Sequence, residues 1–492
     1  MDTIKRALRV CLPATILAVV AGCSVPPRPQ PPELAKTAQL QGIPDRADAA
    51  WPDRAWWTRY DDADLDAIET KALATAPSLA VARARFDAAL RTVDIARADG
   101  GASIDGTAAV TRQRLSERGL IPPKFLGFNW YNQGDLNVRF SYDFDFWGSH
   151  GADIAAALDR AQAAAADRAQ AEDMLTAAVA DSYFGWQADQ ARLALARDVV
   201  AREERIRDIS AARVKHGLDD EDIVHQADAD LAVAREQVAT VEWSAAIHKA
   251  AIAALLGVGL PDLPEMHARP LPRAATALPA DAGLDLVARR ADVEASRLRV
   301  EAALRDIDVA RAAFYPDISL SALIGLQSIE LDKFFLSSNR VPAIGPALHL
   351  PIFEGGRLHA RFGASEAALQ AAIADYNQAV VVAARAAAGE ALLLLQAQAR
   401  RKEHDAQLGA AEHLHASAQA RAQHGLADAR PELAAAVEID RQRDVDAQLA
   451  SAALSAEIAL TKALGGGFRA DSDTDAQTEA NTNNTSGGAL LQ

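Results

Sequence analysis

Leu136-Asn137-Val138-Arg139-Phe140-Ser141-Tyr142-Asp143-Phe144-Asp145-Phe146 decides the fold. Every even position is apolar or aromatic, and every odd position is polar or charged. Side chains alternate faces along a strand, so this segment predicts a strand with one greasy face and one hydrophilic face. About eleven residues also suit a tilted strand that spans a bilayer. Upstream, Ile104, Gly106, Ala108 and Val110 alternate with Ser103, Asp105, Thr107 and Thr111. Ile318, Leu320, Ala322, Ile324 and Leu326, then Ile344, Leu348, Leu350 and Ile352, repeat the pattern more weakly. A half-buried soluble sheet gives the same alternation; what surrounds the strands favours the membrane.

The N-terminus is the first such feature. Lys5, Arg6 and Arg9 precede a short apolar stretch, Leu12 to Gly22, which has the form of a secretory signal and is too short for a stable span. Val20-Ala21-Gly22-Cys23 resembles a bacterial lipobox, which implies acylation of Cys23 at the mature N-terminus; an ordinary secreted protein with a free cysteine is the alternative. Ser24 after the cysteine implies, by the same resemblance, the outer membrane. Pro26 to Pro32 reads as a stiff spacer within a linker over 23–50. Beyond the signal, no segment reads as a transmembrane helix, so any crossing is made by strands.

Composition agrees with extended helix packing. The 492 residues are 50% hydrophobic but only 5% aromatic, and much of the apolar share is alanine. The formal charge is -16, and loss of three basic residues and one acidic residue with the signal makes it more negative, against a nucleic-acid partner. Two cysteines are too few for a disulfide framework or a thiolate zinc site.

The chain also repeats itself. Arg83, Arg85, Arg91, Asp94 and Arg97 recur as Arg297, Arg299, Arg305, Asp308 and Arg311, and Arg213, His216, Gly217, Leu218 and Asp220 recur as Arg421, His424, Gly425, Leu426 and Asp428. Each half reads as a helix, two strands, a very long helix, a tight turn and a helix. The expected division is a first repeat at 51–257, a linker at 258–283, a second repeat at 284–465, and a disordered tail at 466–492. Large residues every seven positions (Leu65, Leu79, Phe86, Val93; Leu286, Val293, Val300, Ile307) mark a coiled-coil seam or a bundle core. Ser149 to Arg213 and Arg357 to Arg421 predict helices about 100 Å long at 1.5 Å per residue. Both close on glycine turns, where Gly supplies a left-handed helix terminus.

Four strands cannot close a barrel, and open strand edges are too costly in lipid. Membrane strands in this chain therefore require several copies to share one barrel.

The ordered motifs Trp56-Trp57, Phe144-Asp145-Phe146-Trp147-Gly148, Arg311-Ala312-Ala313-Phe314-Tyr315-Pro316, Pro351-Ile352-Phe353-Glu354-Gly355-Gly356-Arg357 and Ala463-Leu464-Gly465-Gly466-Gly467 resemble the TolC-like outer membrane factors, in particular the OprM/NodT-type efflux lipoproteins. That resemblance implies a membrane α+β fold: a homotrimer whose twelve strands form one outer-membrane β-barrel, continuous with a periplasmic α-helical barrel. It implies a periplasmic adaptor protein and an inner-membrane transporter of the resistance-nodulation-division class as partners. The function implied is a passive exit duct for drugs or other small toxic compounds, without enzymatic chemistry or a cofactor. It places adaptor docking at Arg213, Gly217, Leu218, Arg421, Gly425 and Leu426, and lipid contact at Phe140, Tyr142, Phe144 and Phe146.

In that family the closed end is often ringed by aspartates. Here the acids stand shifted, as Asp219, Asp220 and Asp222 at the first tip and Asp428 at the second. They predict a cation-favouring mouth, or simply a solvated helix start. His404, His413 and His415 do not converge as metal ligands, and Gly355-Gly356 lacks a Walker lysine. A protein-secretion duct and a structural coiled-coil lipoprotein are the competing readings.

Overall fold

The computed structural model describes residues 25–30, 33–37, 40, 49–118, 122–275 and 277–470. The signal segment, Cys23 and residues 471–492 lie outside the described residues. The chain forms two compact units, described separately below.

The helices that carry the argument are α1 (Ala63–Thr75), α2 (Pro77–Asp99), α3 (Ser149–Lys215), α4 (Asp222–Leu256), α5 (Ala291–Ala312), α6 (Arg357–Gln423) and α7 (Arg430–Ala463). Four strands accompany them: β1 (Ser103–Arg114), β2 (Trp130–Asp143), β3 (Asp317–Ser328) and β4 (Arg340–His349). Helices α3 and α6 are each 67 residues long.

The first unit holds Asp87–Ala163 and Arg297–Asp375 with described residues up to Glu33, and contains the sheet. Its order is β1-β2-β3-β4 and every pairing is antiparallel. The register sets Ala108 beside Leu136, Val138 beside Ile324, and Ile324 beside Pro342. Pro342 and Pro346 lie on β4, the outer strand of the four within one chain. β2 differs from the expected strand: it begins at Trp130 and ends at Asp143. The cause is local. The Phe144 N–H still donates to the Ile318 carbonyl, at 2.9 Å, but the Asp145 carboxylate accepts from the Gly151 N–H at 2.9 Å. Asp145 thus satisfies a free donor in the first turn of α3 and leaves the ladder. Leu350 and Ile352 likewise lie beyond the end of β4.

The second unit holds Leu34–Phe86, Ala164–Ser296 and the chain from Tyr376 on. Its core gathers Trp56, Trp57, Leu65, Ile68, Leu79, Tyr183, Phe184, Ile252, Leu256, Leu454 and Ile458. Asp62 caps α1 through the N–H groups of Asp64 and Leu65, and its other oxygen accepts from the Tyr183 hydroxyl at 2.7 Å. Of the seven-residue seam, Leu65, Leu79, Val93, Leu286, Val293, Val300 and Ile307 are buried, whereas Phe86 is only half-buried. The seam does not run on one helix, however. Pro77 cannot donate its N–H and holds Ala76 extended, which separates α1 from α2. Leu286 lies in a short 3-10 turn ahead of α5.

Two further expectations change. Residues 466–468 are part of a turn, not tail: the Gly466 N–H donates to the Thr461 carbonyl at 3.1 Å and the Phe468 N–H to the Gly465 carbonyl at 2.9 Å. Helix α6 also carries an 18-residue window apolar enough to cross a membrane by length and composition, with 28% of it buried. Val381, Val382, Leu392, Leu393 and Leu395 leave that helix exposed. An uncovered apolar stripe on one long helix gives this composition without a membrane span.

Candidate functional site

Directly opposed residues of a sheet share a face, so the register fixes which side chains travel together. The even positions of all four strands form one face, including Ile104, Val138, Phe140, Ile324 and Ile344. A shallow apolar cavity of about 530 Å³ opens on it, lined by Ile104, Val138, Phe140, Ile324 and Ile344 among others. Val138, Ile104, Ile324 and Ile344 are exposed to between 45% and 78%. Among the described residues nothing covers this apolar and open sheet face. The odd positions form the other face and are mostly polar, including Asp105, Asn137, Arg139 and Gln327.

Of the four aromatics expected on the greasy face, Phe140 and Tyr142 lie on β2 and Phe144 and Phe146 follow it. Three of the rings stay in series: Tyr142 and Phe144 meet edge-on at 5.1 Å, and Phe144 and Phe146 lie tilted at 5.6 Å. Trp147 continues the row by stacking on Tyr315 at 4.5 Å, and its indole N–H donates to the Pro316 carbonyl at 2.7 Å. These aromatics stand where the strands join the helices, as an interfacial belt would.

The hairpin tips belong to the second unit. Gly217 and Gly425 have φ of 69° and 70°, and nothing lies near the Cβ either would carry, so it is the left-handed backbone that requires glycine. The Leu218 N–H donates to the Arg213 carbonyl and the Leu426 N–H to the Arg421 carbonyl, both at 2.9 Å, which closes each helix end. Leu218 and Leu426 are left 63% and 76% exposed.

The repeat-equivalent arginines part company here. Arg213 grips Asp219 with two hydrogen bonds, Nε at 2.7 Å and Nη2 at 3.0 Å, and reaches Asp428 at 3.3 Å. Arg421 is exposed and has no ion pair among the described residues. Arg430, which the sequence reading passed over, completes the cluster: its Nη1 donates to Asp219 at 2.9 Å and its Nη2 to Asp428 at 2.9 Å. Asp219 is held below the usual carboxylate range chiefly by the Arg213 hydrogen bonds, and Asp428 chiefly by those of Arg430. Two of the four acids singled out are therefore charge-compensated, whereas Asp220 and Asp222 are exposed. No group of acids, histidines and cysteines with metal-binding geometry occurs among the described residues.

The sequence profile of the family described as "Outer membrane efflux protein" matches residues 70–258 and again 285–466. The multidrug resistance outer membrane protein MdtP of Shigella flexneri is 31% identical over 483 residues, covering 95% of this chain and 98% of that protein. MdtQ of Escherichia coli O6:H1 is 31% identical over 470 residues, with 93% and 98% covered. Among solved structures, the outer membrane protein VceC of Vibrio cholerae aligns with a TM-score of 0.75 and 33% identity, covering 85% of this chain and all of that one. The outer-membrane channel OprN aligns at 0.80 with 25% identity, covering 90% and 99%. The fold class expected from the sequence, four strands and long helices per chain of a trimeric barrel joined to a helical tunnel, is the one these channels share. The chain belongs to the outer membrane efflux protein family and is an outer-membrane efflux channel.

Proposed function

We propose that this protein is the exit duct of a tripartite pump that expels drugs or other small toxic compounds. In this reading three copies pool their strands into one twelve-stranded barrel and their helices into a periplasmic tunnel. One observation carries it: a four-stranded sheet with an apolar, exposed outer face and two unpaired edges, β1 and β4. Such edges cannot face lipid, and joining β4 of one copy to β1 of the next removes them all. The exposed apolar stripe of α6 supports the same assembly, since a neighbouring copy would cover it.

A periplasmic adaptor docks on the tips through Arg213, Gly217, Leu218, Arg421, Gly425 and Leu426; the two bare leucines and the exposed guanidinium of Arg421 favour this. The energy comes from an inner-membrane transporter, of the resistance-nodulation-division class by family resemblance, and the duct itself is passive. Asp220 and Asp222, with Asp219 and Asp428 behind them in the ionic cluster, form a negative mouth that favours cations. Cys23 carries the acyl anchor, ahead of two repeats at 51–257 and 284–465. MdtP and MdtQ are named for multidrug resistance, which supports a drug-type cargo here.

The test is assembly together with transport. Detergent-purified protein should migrate as a heat-resistant trimer and conduct in planar bilayers, and deletion of the gene should raise drug susceptibility. A water-soluble, non-conducting monomer overturns the duct, and unchanged susceptibility with lost protein secretion overturns the cargo.

A further inference from the structure

Resting on the barrel reading above, we infer that the loop end of the sheet carries a collar of outward arginines that binds the phosphates of outer-leaflet glycolipid. The charges of the four strands are sorted by face. Along the even, outward positions the ionised residues are Arg112, Arg114 and Arg340, with no carboxylate. Along the odd, inward positions they are Asp105, Asp135, Asp143 and Asp317 with Arg139. In a chain of net charge -16 an outward face with cations alone is a departure that alternation does not require.

All three arginines sit at the same end. On β1 the outward row reads Ile104, Gly106, Ala108, Val110, then Arg112 and Arg114; on β4 it reads Leu348, Pro346, Ile344, Pro342, then Arg340. Each apolar row therefore stops at guanidinium groups, where hydrocarbon gives way to headgroups. That end is joined only by the loops 115–129 and 329–339, whereas all four helix connections leave from the opposite end. With the helices in the periplasm, the arginine end faces the outside. β1 and β4 are also the strands that meet when copies close the barrel, so Arg112 and Arg114 of one copy come beside the Arg340 of the next.

The three are available to a ligand. All are exposed, and neither Arg112 nor Arg340 has an ion pair among the described residues. Arg114 has Glu117 at 3.4 Å, both well exposed. Arg112 lies over the Trp130 ring at 5.6 Å, which orients its planar fork at the rim. Guanidinium forks suit paired phosphate oxygens in a way that a single ammonium does not. Charge complementarity therefore selects a phosphorylated lipid over a zwitterionic one.

The test titrates the purified full-length assembly, by native mass spectrometry, with diphosphoryl lipid A, with the same lipid stripped of its phosphates, and with phosphatidylethanolamine. The phosphorylated probe should bind the unaltered protein about 100-fold more tightly than the stripped one. Replacing Arg112→Gln, Arg114→Gln and Arg340→Gln together should erase that preference, whereas the inward Arg139→Gln should keep it. Equal binding of both probes by the unaltered protein overturns the collar with no variant needed, as does an equal loss in Arg139→Gln. If the protein forms no heat-resistant barrel, the barrel reading falls and takes the collar with it; a sound barrel blind to phosphate overturns the collar alone.

Discussion

Arg430 and Asp219, far apart in the chain, join the two hairpin tips through one hydrogen bond of 2.9 Å, Nη1 to Oδ2. Arg213 and Asp428 close the cluster from the other side. Each carboxylate meets two guanidiniums, so removing one cation leaves a partner still paired. Arg430→Ala should therefore loosen the link without unfolding the protein. Hydrogen exchange of residues 213–222 and 426–432 should quicken by roughly fivefold, while α1 and the centre of α3 stay protected. Arg430→Lys, a point charge without the fork, should fall between the two.

The same link is pH-dependent with a definite sign. Asp219 and Asp428 ionise more readily in the folded tips than in the unfolded chain, because of Arg213 and Arg430 respectively. Their contribution is in place above the ordinary carboxylate range and is lost as pH falls through the lowered values. Tip protection should be flat from about pH 8 to 5 and decline only below about pH 4.

What the sequence disclosed follows from periodicity. A period of two along Leu136–Tyr142 and a seven-residue spacing through Leu286, Val293, Val300 and Ile307 are each visible in one stretch of chain, and both describe the faces that are found. The break at Pro77 was equally local, but a seam that continues across it in burial hid the change of helix. Arg430 was illegible for a different reason. Its partner Asp219 is in the other half of the duplication, and the matching position in the first tip is Asp222, so neither spacing nor repeat points to it. The outward placement of Arg112 and Arg340 required the register of three pairings, which alternation alone does not supply.

Glycines of the same backbone type should differ in what they tolerate. Gly425 and Gly465 both have positive φ, of 70° and 97°. A Cβ on Gly425 meets nothing, so Gly425→Ala should cost about 1–2 kcal/mol, from the left-handed backbone alone. On Gly465 the Cβ would run into the Arg289 carbonyl oxygen, which is backbone and cannot swing aside. Gly465→Ala should cost more than about 3 kcal/mol and lower the temperature at which the purified assembly dissociates well below that of Gly425→Ala.

Asp173 predicts a stability that falls as pH rises. It is half-buried beside the Gly466 turn with both carboxylate oxygens out of reach of solvent, and neither oxygen has a hydrogen-bond partner among the described residues. Burial pushes its pKa up to about 7, against the opposing pull of Arg290 and Lys462. The folded protein thus holds a proton that the unfolded chain releases near pH 4, so this contribution is full below that value and is lost as pH rises through about 7. Asp173→Asn removes the ionisation. It should stabilise by about 4 kcal/mol at pH 8 and change little at pH 4, read as the dissociation temperature at the two pH values.

The outward face of the barrel makes the sharpest contrast, because neighbouring positions on one sheet should respond oppositely to the same change. Val138 is an even, exposed residue on an inner strand, and beside it in register is Ile324. Arginine there would sit in hydrocarbon near the middle of the band, at a cost of about 2–4 kcal/mol per copy. Three copies in one barrel multiply that cost, so Val138→Arg should abolish the heat-resistant trimer. Ser321 lies opposite Ser141 and Gly345 on the odd face, which already holds Arg139 and four aspartates. Ser321→Arg should assemble normally and shift ion selectivity toward anions in planar bilayers. Equal assembly of both variants would mean that the even face does not meet lipid.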